Sequence, residues 1–180
     1  TLYVGYAKDI TDQRNQTQEL LEQARHDSLT QLYNNRTGKE LIDRYLQAKD
    51  PYASCGMLVI DLDFFKNVND CYGHLFGDKV LQEFARLLRT LFRSSDILVR
   101  FGGDEFVVLQ KAAAEQDIID LCSAINDELA RAEVPYALRM SIGYARVGDS
   151  VDTWQDLLRA ADAELYRVKA EKKKAGVQIR

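Results

Sequence analysis

Two apolar runs meet at a pair of glycines. Ile97-Leu98-Val99 leads into Arg100-Phe101-Gly102-Gly103-Asp104-Glu105-Phe106, and Phe106-Val107-Val108-Leu109 leads away. Such runs split by Gly-Gly read as a β-hairpin, because glycine tolerates the positive φ that a tight two-residue turn demands. The hairpin places a sheet at the centre of any fold open to the chain. Its tip carries adjacent carboxylates, Asp104 and Glu105. Side chains alternate along a strand, so the two are expected on opposite faces, one toward a ligand and the other toward a second group or solvent. Carboxylates beside a glycine-opened backbone suit a hard cation and a phosphate.

The 180 residues suggest one domain with a short extra piece. A net charge of −4 and the lack of a long basic stripe argue against nucleic acid as the main partner. Cys55, Cys71 and Cys122 are scattered, with no CxxC pair, so neither zinc nor a disulfide framework is expected. Histidine is limited to His26 and His74, so any metal site must be built from oxygens. No run is apolar and long enough to span a bilayer, and no signal peptide is visible. The chain begins at Thr1 and is read as a cytoplasmic fragment of a longer protein, which is free to carry a membrane anchor elsewhere.

In chain order, Leu2-Tyr3-Val4-Gly5-Tyr6-Ala7 reads as a last strand, followed by Asp9-Ile10-Thr11-Asp12 and a polar helix. This pattern resembles the C-terminal end of a PAS sensory domain, assigned to residues 1–12. Residues 13–26 read as a linker helix with a narrow apolar seam of Leu20, Leu21 and Ala24, which suits helix pairing in a dimer; the alternative is a solvated connector. Turn-formers from Asp27 to Arg36 mark a boundary. Thr37 or Asn35 is expected to cap a helix bearing Leu41, Ile42, Tyr45 and Leu46, ended by Asp50-Pro51. Met57-Leu58-Val59-Ile60-Asp61-Leu62-Asp63 reads as a buried central strand ending in carboxylates. Asp63 is expected on the face opposite Asp61, in a structural role. The stretch from Phe64 to Asp78 is rich in polar residues and glycine yet too aromatic for a disordered loop. Amphipathic helices follow with Val80, Leu81, Phe84, Leu87, Leu88 and Leu91, and, after the hairpin, with Ile118, Leu121, Cys122, Ile125 and Leu129. A strand is expected over 137–147, and a last helix from Thr153 or Trp154 to Lys174 with Leu157, Leu158, Ala161, Leu165 and Val168 inward. The fold class is α+β, helices packed on a sheet.

Gly102-Gly103-Asp104-Glu105-Phe106 resembles the signature of the GGDEF family, the diguanylate cyclases. Further blocks agree in order and spacing. They are Asp27-x-Leu29-Thr30-x-Leu32 with Asn35-Arg36, and Asp61-x-Asp63-x-Phe65-Lys66-x-x-Asn69-Asp70-x-x-Gly73-His74-x-x-Gly77-Asp78. The last is Ala161-Asp162-x-x-Leu165-Tyr166-x-x-Lys169. The resemblance covers residues 27–180 as the cyclase domain. It implies a palm-like fold shared with nucleotidyl cyclases, a mostly antiparallel sheet with a βαββαβ core flanked by helices.

The resemblance implies that two GTP molecules are joined into cyclic di-GMP with release of two pyrophosphates, on a homodimer holding one GTP per subunit. Mg²⁺ or Mn²⁺ is the implied cofactor, held by Asp61, the carbonyl of Leu62 and Asp104; Asp104 or Glu105 assists deprotonation of the attacking hydroxyl. The backbone amides of Phe64, Phe65 and Lys66 are implied to cradle terminal phosphates. Asn69 and Asp78 are the implied guanine readers. A carboxylate can accept from both N1–H and the 2-amino group of guanine, a donor pair that adenine lacks. His74 either touches substrate or is structural.

Lys169 matches the family's phosphate-binding lysine. The family often continues Lys-x-x-Gly-Arg-Asn, whereas this chain has Lys169-Ala170-Glu171-Lys172-Lys173-Lys174. Lys173 is the expected substitute for the second basic group, supplying charge without a bidentate fork. Arg93 and Asp96, shortly before Gly102, match the family's inhibitory RxxD site, where cyclic di-GMP acts as feedback inhibitor; the bland alternative is an arginine at a helix end with a turn aspartate. The rival functional readings are a GGDEF module that only binds GTP or cyclic di-GMP, and a related cyclase with a different nucleotide product.

Overall fold

The computed structural model describes residues 22–48, 54–111, 120–121, 123–125, 127, 139–147 and 153–175. The PAS-like stretch, most of the linker helix, Asp50-Pro51, Ile118, Cys122 and Leu129 lie outside them.

The elements are β1 (Tyr33–Asn34), α1 (Asn35–Ala48), β2 (Cys55–Asp63), α2 (Phe65–Tyr72), α3 (His74–Leu91), β3 (Ile97–Gly102), β4 (Glu105–Lys111), β5 (Arg139–Arg146) and α4 (Trp154–Lys174). Helical residues between 120 and 127 lie between β4 and β5. The sheet runs β1-β3-β4-β2-β5. It is antiparallel throughout except for β1, which lies parallel to β3. This is the α+β, mostly antiparallel arrangement expected.

Every residue of β2 is buried, as befits a central strand covered on both faces. Its residues alternate between two apolar layers. Leu58, Ile60 and Leu62 pack toward α2 and α3, against Phe65, Phe84 and Leu88. Met57 and Val59 pack the other way with Ile42 of α1 and with Leu157, Ala161 and Leu165 of α4. Each such side chain contributes about 1.5–3 kcal/mol when fully buried, so these layers fix where the acidic end of β2 emerges. Among the described residues no helix is long and apolar enough to cross a membrane.

Local details depart from expectation. Helix α1 is capped by Asn34, whose side-chain oxygen accepts from the Thr37 amide at 3.0 Å. Neither Thr37 nor Asn35 serves, because the helix already starts at Asn35. The hairpin turn is Gly103-Asp104 rather than Gly102-Gly103: an irregularity between Arg100 and Gly102 takes up Phe101, and Gly102 pairs with Glu105. Gly103 holds the positive φ, 49°. Beyond the turn at Phe64, the block from Phe65 to Asp78 is helical, broken at Gly73 (φ 84°).

Candidate functional site

The site lies where β2, the hairpin turn and α4 converge. Asp61 pairs in register with Glu105 on β4 and with Ser141 on β5. The Leu62 amide donates to the carbonyl of Asp104 at 3.3 Å, tying the turn to the strand end. The acids of β2 are therefore beside both hairpin carboxylates, and the residue directly across from Asp61 is Glu105.

Asp61 and Asp63 face the same way, which corrects the expectation that they diverge. Residues two apart on a strand share a face, and both carboxylates meet α4. The Lys169 ammonium is 2.8 Å from Asp61 Oδ1, and Lys172 is 2.7 Å from Asp63 Oδ2. Both carboxylates are buried, at 3% and 2% exposure, where an unpaired charge would be costly. Lys172 also donates to the Met140 carbonyl at 2.6 Å and to Ser141 Oγ at 3.0 Å. Lys173 is exposed.

Partial burial pushes the Glu105 carboxyl up, helped by the negative charges of Asp61, Asp104 and Asp162 and opposed by Lys169. Asp162 of α4 is itself pushed up by burial. The site thus has an anionic wall from β2, β4 and α4 and a cationic pole at Lys169. All its donors are hard oxygens, which fit Mg²⁺ or Mn²⁺. Among the described residues no group of three or more His, Cys, Asp or Glu forms a metal cage by itself. A pair of carboxylates with a backbone carbonyl suits Mg²⁺, which commonly takes its remaining ligands from substrate phosphate and water.

Directly after Asp63, Phe64 adopts φ 65°, ψ 14°, a left-handed conformation rare for a bulky residue. It turns the chain sharply from β2 into α2. The amides of Phe65 and Lys66 consequently fall in the first turn of α2, where helix N–H groups have no intrahelical partner and favour anions. Strain at such a point is characteristic of functional loops.

Asn69 and Asp78 come from α2 and α3. A Cβ at Gly77 would sit 2.0 Å from Asn69 Oδ1. Glycine at 77 therefore leaves room for the Asn69 side chain against α3, one position before Asp78. His74 is exposed in the first turn of α3.

Arg93 and Asp96 lie apart from this cluster. Asp96 is buried and accepts from the Arg93 amide and the Lys111 amide, both at 3.0 Å, so its carboxylate fastens the α3–β3 turn to β4. Arg93 is exposed at a cavity of about 330 Å³ that is also lined by Arg89, Tyr33 and His26. Sequence reasoning missed Lys172 and gave Asp162 no role. The available signal was the spacing of Lys172 from Lys169 and Leu165 along one helix face.

The family described as "Diguanylate cyclase, GGDEF domain" matches residues 24–175. The chain is 38% identical over 182 residues to the uncharacterised protein y4lL of Sinorhizobium fredii, covering 93% of this chain and 22% of that one. It is 36% identical over 175 residues to the response regulator PleD of Caulobacter vibrioides, covering 91% and 38%. The chain thus spans well under half the length of these relatives. The coiled-coil and GGDEF domain of DgcB from Caulobacter crescentus, solved with c-di-GMP, superposes with a TM-score of 0.85. That likeness covers 91% of this chain and 90% of that one at 23% identity, and is one of fold.

Proposed function

The chain belongs to the GGDEF family of diguanylate cyclase domains, and from that premise we propose that it joins two GTP molecules into cyclic di-GMP with release of two pyrophosphates. The observation that carries this reading is the facing of Asp61 and Glu105 across β2 and β4 with Lys169 of α4 at 2.8 Å from Asp61. Carboxylates for a cation and an ammonium for phosphate meet at one point, next to the unpartnered amides of α2.

Asp61, Asp104 and the carbonyl of Leu62 would hold the divalent cation, with Glu105 directly across from Asp61. When bound there, such a cation would supply charge neutralisation for the triphosphate and a lowered pKa for the attacking 3′-hydroxyl. Lys169 holds phosphate oxygen, and the amides of Phe64, Phe65 and Lys66 receive the terminal phosphates. Asn69 and Asp78 orient guanine, and Asp78 accepts from N1–H and the 2-amino group. One of the hairpin carboxylates, Asp104 or Glu105, takes the proton of the hydroxyl. These groups act by positioning and charge stabilisation.

Each 3′-hydroxyl attacks the α-phosphorus of the other GTP, so two subunits must meet with their sites facing. The segment before Asp27 acts as the linker that sets this pairing, and a sensory signal shifts the population of the productive dimer. Arg93 and Asp96 form the site for inhibitory cyclic di-GMP, with Asp96 held by backbone amides and Arg93 free to meet phosphate or base.

The test is incubation with GTP and Mg²⁺ at several protein concentrations, with the product identified by mass and Asp104→Ala run alongside. Cyclic di-GMP from the parent alone, rising faster than linearly with protein, supports the dimeric cyclase. Binding of GTP or cyclic di-GMP without product assigns a receptor module instead.

A further inference from the structure

The buried residues of α4 are Leu157, Ala161 and Leu165. The helix continues to Lys174, so its last turns lack buried apolar anchors. The stripe through Leu165 is continued by Lys169 and Lys172, four and then three residues on. Each lysine lands on a buried carboxylate of β2. Lys172 does more than neutralise Asp63. Its contacts with Asp63, the Met140 carbonyl and Ser141 Oγ occupy all three ammonium donors. The Ser141 hydroxyl donates in turn to the second Asp63 oxygen at 2.8 Å. Ser141 is fully buried and Asp63 nearly so, and the half-buried Lys172 closes over them from the helix.

We propose that Lys172 is a positioning residue for GTP: its network with Asp63 and Ser141 pins the last turn of α4 and keeps Lys169 aimed at Asp61. This deepens the cyclase reading and rests on it for the identity of the nucleotide. Helix ends open most readily, because their last carbonyls lack partners and few contacts hold them. With Lys172 fixed, that opening is moved beyond Lys169. With Lys172 loosened, Lys169 belongs to an unanchored end and its ammonium leaves the site for part of the time. The effect falls on substrate capture, because Lys172 has no donor left for phosphate.

The experiment compares the parent with Lys172→Met, Lys172→Arg, Lys174→Ala and the pair Lys172→Met with Asp63→Asn. The pair variant leaves no buried carboxylate uncompensated and keeps the test open if the single variant does not fold. Amide exchange reports the turn over 169–174 against β2 and β5, and steady-state kinetics report KM for GTP against kcat. In the Met variants the expected result is at least about tenfold faster exchange in that turn with the strands unchanged. KM is expected to rise about 5- to 20-fold with kcat within about threefold. Arginine recovers part of the KM, and Lys174→Ala matches the parent. Unchanged exchange overturns the clamp. Faster exchange with unchanged KM overturns the positioning role and leaves Lys172 as a helix end-stop. A parent that binds GTP but makes no cyclic di-GMP defeats the cyclase reading alone; the calorimetric affinity for GTP with Mg²⁺ then replaces KM under the same 5- to 20-fold criterion, about that expected of one lost charge contact.

Discussion

One guanidinium nitrogen of Arg100 lies 3.0 and 3.2 Å from the two carboxylate oxygens of Asp27. The same guanidinium donates to the carbonyl of Gly103 at 3.2 and 3.0 Å. Asp27 also accepts from the amide and hydroxyl of Thr30 at 2.8 and 2.7 Å. The segment through which any upstream helix enters is therefore bonded to the turn that carries Asp104. Burial pushes the Asp27 carboxyl up, but the Thr30 hydrogen bonds and Arg100 outweigh it and hold it below the usual carboxylate value. A carboxyl lowered on folding adds stability above its unfolded pKa and loses it as pH falls through the folded value. Asp27→Asn is expected to cost about 1–3 kcal/mol at pH 7. The difference from the parent should shrink to nothing in acid, below the usual carboxylate range. Urea melts across pH check both parts.

Glu105 has the opposite sign. Its carboxyl is pushed up by burial and by the like charges around it, so its stabilising share is present below its unfolded pKa and lost as pH rises through the folded value. Glu105→Gln should stabilise the metal-free domain at pH 7, by less than about 1 kcal/mol because solvent screens an exposed carboxylate. The gain should fade as pH falls into the carboxylate range. Melts in the presence of a chelator measure it, and the same variant should lose cyclase turnover.

Removal of divalent cation should stop cyclic di-GMP formation, and Mg²⁺ should restore it. Asp61→Asn should lower kcat/KM for GTP by at least about 10²-fold, the scale of losing a group that stabilises transition-state charge. It should also release Lys169 from its 2.8 Å contact. A fold check by circular dichroism separates this from unfolding.

Most of the architecture was legible because hydrophobic period fixes which faces are buried. The apolar run of β2, the stripes of α3 and α4 and the paired runs of the hairpin each had a single packing solution. Helix α2 was not legible: its short polar sequence has no apolar stripe of useful length, and its start depends on Phe64 at φ 65°. The turn was displaced by one residue because an irregularity at Phe101 is a property of pairing, not of composition. The common face of Asp61 and Asp63 was readable from the strand period and was misread. Lys172 is the first of three consecutive lysines, and only the packing of α4 on β2 and β5 reveals its buried partners.

Gln31 has φ 59° on an exposed turn, a conformation that strains residues carrying a Cβ. Gln31→Gly relieves that strain, against the greater freedom glycine has when unfolded. The net expectation is a gain of up to about 1 kcal/mol, or a rise in Tm of about 2–4 °C for a chain of this size. A thermal melt decides it.

At Gly143 of β5 the backbone of α4 lies tight against the sheet. A Cβ there would lie 2.0 Å from the Ala161 carbonyl oxygen and 2.4 Å from the Leu165 nitrogen, both backbone atoms of the helix. Neither can rotate away, so Gly143→Ala must lift α4 bodily. Overpacking of this kind costs about 1–3 kcal/mol and occasionally more, and rigid backbone neighbours place this site at the upper end. Lys169 and Lys172 ride on the displaced helix, so GTP affinity should fall with stability. Gly102→Ala is the matched comparison, since a Cβ there meets nothing within 4 Å; its unfolding free energy should stay within about 0.5 kcal/mol of the parent. Equal melts for the two alanine variants would mean that α4 does not seat on β5 as closely as the geometry states.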